Sequence, residues 1–188
     1  MTDKQFEALV KELDEFLGVL DHRIDLLRQA VKGLRKVKDR IPSFVDYGHV
    51  RELTSECLAF SIVIERRIDK LPEDKKDTVA IRFDKLTVAI WSTLLDGALK
   101  FLKAISEEEH LPLGSRDVFL MEIRTLYDAH KTLTSERYSG LVDDRVLHRR
   151  DSAERILNEI IDRAPRLLDL TGSGPGAPAR QHPARQIA

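Results

Sequence analysis

Residues Val79 to Ile105 read VAIRFDKLTVAIWSTLLDGALKFLKAI. At about 100° per residue, Arg82, Lys85, Ser92, Asp96, Lys100 and Lys103 fall on one narrow stripe together with Thr78 just upstream. Most of the remainder is apolar, including Phe83, Leu86, Ile90, Trp91, Leu94, Leu95, Leu99, Phe101 and Leu102. A helix that is apolar over most of its circumference has to be covered from several sides. The stretch therefore predicts the central helix of an all-α domain, with Trp91 in the core.

Upstream, the spacing predicts a long helix from Asp3 to Arg40. Thr2 and Gln5 form a capping box, in which side chains satisfy the unpaired first-turn amides. Apolar residues recur at Phe6, Leu9, Leu13, Phe16, Leu20, Ile24, Leu27, Val31 and Leu34, with one extra step of four around Leu20. Acidic residues gather early and Lys32, Arg35, Lys36, Lys38 and Arg40 late, an order that suits the helix dipole. Pro42 ends this helix, and Ser43 with Asp46 caps a second. The second carries Val50, Leu53, Cys57, Phe60, Ile64, Ile68 and Leu71, again with a four-four step. Two helices with matched stutters predict an antiparallel hairpin, with Leu20 and Ile64 at nearly the same height and Cys57 a buried small hydrophobe on the seam. Pro72 is expected at the first helical position of the central helix.

Downstream, SEEEHLPLGSRD forms the longest connector, broken by Pro112 and Gly114. Ser115 caps a fourth helix whose expected core stripe is Phe119, Ile123, Leu126, His130 and Leu133, fading at Tyr138 to Gly140. A fifth helix starts between Val142 and Ser152 with the apolar stripe Ala153, Ile156, Leu157, Ile160, Ile161, Ala164 and Leu167, and Pro165 is expected to kink or restart it. His148, Arg149 and Arg150 form a basic cluster neutralised by Asp143, Asp144 and Asp151. The expected architecture is thus an antiparallel up-and-down bundle of about five helices with a long N-terminal hairpin, one domain over residues 1–170. Residues 171–188, rich in Gly, Pro, Ala and Arg, hold almost nothing to bury and read as a disordered tail.

Composition narrows the function classes. Across 188 residues, 31 Lys and Arg nearly cancel 32 Asp and Glu, which withdraws support for bulk attraction to nucleic acid or anionic lipid. A single cysteine rules out an internal disulfide and fits a reducing compartment. No apolar run reaches the roughly 18 residues of a membrane span, and the acidic amphipathic start is unlike a signal peptide. A cytoplasmic protein is expected. Neither a phosphate-cradling glycine loop nor a paired-Cys zinc motif is present. Glu107 with His110, and Asp46 with His49, have the acid-x-x-His spacing of bridged di-iron bundles. That chemistry needs two further inward glutamates at one level, and both pairs sit at predicted helix ends. No metal or cofactor is expected.

The remaining chemistry is in FLMEIRTLYDAHK, Phe119 to Lys131, where Arg124 is followed by His130 with five residues between. Histidine titrates near neutrality and arginine presents a fork matched to phosphate oxygens. Such a pair could take a 2′-hydroxyl proton and stabilise a phosphate gaining charge, without a metal. The stretch, with its "L-x-x-I-R" and "A-H" followed by a basic residue, resembles the signature of the HEPN superfamily, helical nucleotide-binding domains of higher eukaryotes and prokaryotes. CLAFSIVIERRIDKL upstream is similar to the second-helix pattern of small members of the mannitol-repressor and abortive-infection types. The resemblance covers about Val50 to Leu168. It implies an RNA-cleaving toxin or phage-defence ribonuclease, or an inactive nucleotide- or RNA-binding relative, with His130 as acid–base and Arg124 as phosphate stabiliser at a site shared across a homodimer. The sequence departs from the commonest pattern at Thr125, where many members have Asn or Asp, and in the length of the gap. The alternative is a non-catalytic helical adaptor or dimerisation module that binds a protein partner.

Overall fold

The computed structural model describes residues 3–34, 44–107 and 115–163. It is all-α: α1 (Asp3–Gly33), α2 (Phe44–Ile68), α3 (Glu73–Ser106), α4 (Ser115–Leu133) and α5 (Asp144–Arg163), with no strand among the described residues. Several expectations fall outside them: the Thr2 cap, the run from Arg35 to Arg40, Ser43, His110, Pro112, Ala164, Pro165, Leu167 and the tail. No described helix is long and apolar enough to cross a membrane.

The hairpin seam is more regular than the sequence implies. On α1 the fully buried residues are Leu13, Leu17, Leu20, Ile24, Leu27, Val31 and Leu34, an unbroken alternation of four and three. On α2 they are Tyr47, Val50, Thr54, Cys57, Ser61, Ile64 and Ile68, again unbroken. The expected stutters are therefore absent. Phe16 and Phe60, which created them, lie half-buried beside the seam with ring centroids 5.6 Å apart, and Leu17 and Ser61 occupy the seam instead. Ser61 belongs there because its hydroxyl donates to the Cys57 carbonyl at 2.8 Å, as Thr54 does to Val50 at 2.8 Å, so neither asks anything of α1. Ion pairs Glu12–Arg67 and Arg23–Glu56 set the register: eleven residues forward on α1 are eleven back on α2. The helices are antiparallel, and Ile64 stands level with the turn before Leu20 rather than with Leu20 itself. Cys57 is fully buried, and burial pushes its thiol up to about 11.

The third helix packs against all four others. Asp14 pairs with Arg82 and the Val31 carbonyl accepts from Lys100 Nζ at 3.5 Å, so α1 and α3 run parallel. Ser92 meets Arg149 at 3.5 Å and the Ser106 carbonyl meets Arg163 at 3.0 Å, which makes α5 parallel to α3 as well. Tyr47 stacks on Phe101, centroids 4.1 Å apart, where the start of α2 reaches the end of α3. Trp91 packs half-buried against the core. At Gly97 both α1 and α2 pack tightly against α3. A methyl group there would stand 3.1 Å from Val31 Cγ2 and 3.3 Å from Val50 Cγ1. Pro72 lies one position before its expected place: it is the N-cap, with ψ of 151°, and Glu73 starts the helix.

The fourth helix ends at Leu133, earlier than expected, and hydrogen-bonded turns follow to Leu141. Arg137 in this connection holds Glu65 of α2 at 2.5 Å and Asp84 of α3 at 2.7 Å, with the Phe83 and Tyr138 rings 5.7 and 5.3 Å away.

Candidate functional site

The residues α4 buries are Ser115, Phe119, Glu122, Thr125, Leu126, Ala129 and Leu133. The expected stripe had Ile123 and His130 in this series. The helix is turned by one position, so that Glu122 and Ala129 face inward while Ile123 and His130 face out. A carboxylate can replace an isoleucine inside only if charge and donors wait for it. Arg51 Nη1 stands 3.5 Å from Glu122 Oε1, and the Tyr47 hydroxyl is buried close by.

Sequence reasoning missed this buried group. Tyr47 and Arg51 are one turn apart on α2, so both can reach inward from the same face. Glu122 is fully buried. Burial raises its carboxyl above the ordinary range, and the Arg51 charge and the Tyr47 hydroxyl draw it partway back. Burial also pushes the Tyr47 phenol well up, with the nearby carboxylate adding to the effect. Among the described residues, the Tyr47 hydroxyl, Arg51 Nε and Nη1 and both Glu122 oxygens meet no hydrogen-bond geometry. The contact is close enough to bias charge and too long to satisfy it. The only trace in the sequence is a Glu one heptad before Ala129 and, some seventy positions away, a Tyr and an Arg four apart, with nothing to say that they meet.

The two sequence-predicted site residues are both open to solvent. The Arg124 side chain is 85% exposed, its nearest carboxylate Asp128 at 3.8 Å. His130 is exposed, and its backbone carbonyl accepts from the Thr134 amide at 3.0 Å and the Thr134 hydroxyl at 2.7 Å. The helix is continuous from one to the other. Six residues on a continuous helix are about 9 Å of rise and about 120° of rotation apart. Within one chain the imidazole and guanidinium diverge.

Between them lies an apolar face. Leu120, Ile123 and Tyr127 are exposed within about 60° of one another on the outer side of α4, Tyr127 by 64%, whereas Met121 lies apart, beyond Asp128. By helical position Lys131, Arg124 and then Asp128 border this face on one side, and His130 on the other.

Among the described residues no three His, Cys, Asp or Glu side chains converge as metal ligands. His49 is exposed, 3.8 Å from Glu52, and of the basic cluster on α5 Arg150 is tied locally, reaching Asp151 and Glu154 at 3.0 and 2.5 Å. No family model, curated protein or solved structure matches the chain.

Proposed function

We propose that this protein is a helical-bundle interaction module that pairs with a second copy of itself through the outer face of α4. The observation that carries the reading is the grouping of Leu120, Ile123 and Tyr127 on the solvent side of one 19-residue helix. Exposed apolar surface gathered in one place marks association more often than isolated exposed residues do. The charges favour a like partner. Arg124 and Asp128 sit one turn apart, so an inverted copy presents a carboxylate to each guanidinium and the reverse, as an isologous interface requires. Tyr127, near the centre of that pairing, packs on its own counterpart.

Sedimentation tests this directly. The wild type sediments as a dimer at tens of micromolar. Tyr127→Glu sediments as a monomer with unchanged helical circular dichroism. A wild type that stays monomeric at 200 µM, or a Tyr127→Glu variant that stays dimeric, overturns the reading.

A second reading builds on the same face and on the HEPN resemblance. Arg124 and His130 are both exposed, on opposite borders of this face, and diverge within one chain, so a site that uses both needs a second copy to supply one of them. This favours an RNA-binding or metal-independent RNA-cleaving site that exists only in the dimer. Its signature is cleavage of RNA in EDTA that is lost in His130→Ala, with the dimer retained, and lost again in the monomeric Tyr127→Glu. A dimer that never cuts RNA leaves the interaction module standing alone.

A further inference from the structure

A cleft of about 160 Å³ opens where the end of α1 meets the middle of α3 and the first half of α5. Its wall carries Arg28, Lys32, Arg149, Ser92, Thr93 and Asp96. Three cations from two different helices thus face one small space. We propose that this cleft binds a phosphate group, either inorganic phosphate or the phosphate of a small monoester.

The charges around it decide the ligand's sign. Asp96 is held by Lys100 at 2.7 Å, and Arg28 by Asp25 at 2.7 Å. Arg149 has no carboxylate partner among the described residues; its one contact is the Ser92 hydroxyl at 3.5 Å. Lys32 likewise has no ion-pair partner among them. Among the described residues two cations remain uncompensated, and the Ser92 hydroxyl, which accepts from Arg149, has its own proton to donate. The negative end of α1 works against an anion here. Lys100 blunts it by reaching the Val31 carbonyl. Thr93 contributes only lone pairs, because its hydroxyl already donates to Ala89 at 2.7 Å.

Size selects within anions. Drug-sized ligands occupy roughly 300–1,000 Å³, so the cleft suits a single compact oxyanion with its substituent in solvent. A guanidinium fork beside an ammonium and a hydroxyl matches the several acceptor oxygens of phosphate, and charge-assisted contacts of this kind are the strong ones. Arg149 is the anchor, since it is half-buried and pre-placed by Ser92, whereas Arg28 and Lys32 guard the mouth. The site is on other helices than the α4 face and does not depend on pairing.

The test is calorimetric titration of the full chain with inorganic phosphate and, separately, glycerol phosphate, at constant ionic strength set with chloride. Wild-type protein binds one phosphate per chain. Arg149→Gln weakens binding at least tenfold, and Lys32→Glu does the same without touching the interior. Arg155→Gln, at an exposed residue paired with Glu159, leaves binding unchanged. Tighter binding of the monoester identifies a phosphorylated small molecule as the ligand, and equal binding identifies free phosphate. Absence of heat at 10 mM phosphate overturns the proposal. So does equal binding by Arg149→Gln and Lys32→Glu, or binding confined to an RNA oligonucleotide.

Discussion

A carboxylate that has left water without gaining hydrogen bonds disfavours its own charged form, and Glu122 is placed that way opposite Arg51. Its raised folded-state value has a definite consequence for stability. Between the ordinary carboxyl value and the raised one, the folded chain holds a proton that the unfolded chain has released. Stability from this group is therefore complete at low pH and is lost as pH climbs through the raised value. Glu122→Gln removes this dependence while keeping an acceptor for Arg51. Urea unfolding of both proteins from pH 4.5 to 8 should show Glu122→Gln gaining on the wild type as pH rises. A constant difference across that range would mean that the carboxyl titrates normally. The group was illegible in the sequence for a simple reason. Hydrophobicity prefers Ile123 to Glu122 inside, and only the distant Tyr47 and Arg51 reverse that preference. The same one-position turn of α4 puts His130 in solvent, where an acid–base residue could work, rather than in the core.

At the scale of single elements, two positions bear more than their own helix. Gly97 lets α1 and α2 close on α3. Alanine gains up to about 1 kcal/mol of helix propensity over glycine, and its methyl meets Val31 and Val50 a few tenths of an ångström too soon. These effects oppose each other, so Gly97→Ala should change unfolding free energy by less than about 1 kcal/mol. Gly97→Val adds bulk with no place to go and should cost about 2 kcal/mol or more. Chemical denaturation of the two variants measures both. Arg137 acts differently, fastening the α4–α5 connection to α2 and α3 together. Burial alone would lower its basicity; the hydrogen bonds to Asp84 and Glu65 more than reverse that and raise it. Because the Arg137 side chain is 42% exposed, the pairs are partly screened and Arg137→Ala should cost about 1–2 kcal/mol. A loss that persists undiminished in 1 M salt would assign it to ring packing instead. The helices themselves were legible because each carries a long apolar repeat. Their rotational phase was not, wherever two apolar residues are adjacent: Phe16 and Leu17 both fit a helical repeat, and burial chose Leu17.

Across the whole molecule, α3 was recognisable as the centre because it is apolar on nearly every side, and it does touch each of the other helices. The parallel course of α1, α3 and α5 carries no signal in any one repeat; it was expected from the turns that reverse the chain between successive helices. The candidate surfaces were legible only in part, because they depend on which faces are covered. Arg124 and His130 stand out as residue types, but the face they border becomes visible only when Leu120, Ile123 and Tyr127 are known to be outside. The phosphate cleft is harder still to anticipate, because Arg28, Lys32, Arg149 and Ser92 come from segments up to 121 positions apart in the chain.

The hydroxyls of Thr54 and Ser61 find their acceptors within α2 itself, which leaves the hairpin without polar cross-talk at its core. What α2 demands of α1 reduces to bulk at seven-residue intervals plus an acid and a base to fix the offset. A designed leucine-repeat helix bearing those two charges should therefore satisfy α2, and the bundle should accept the transplant once Asp14 and Val31 are kept for α3.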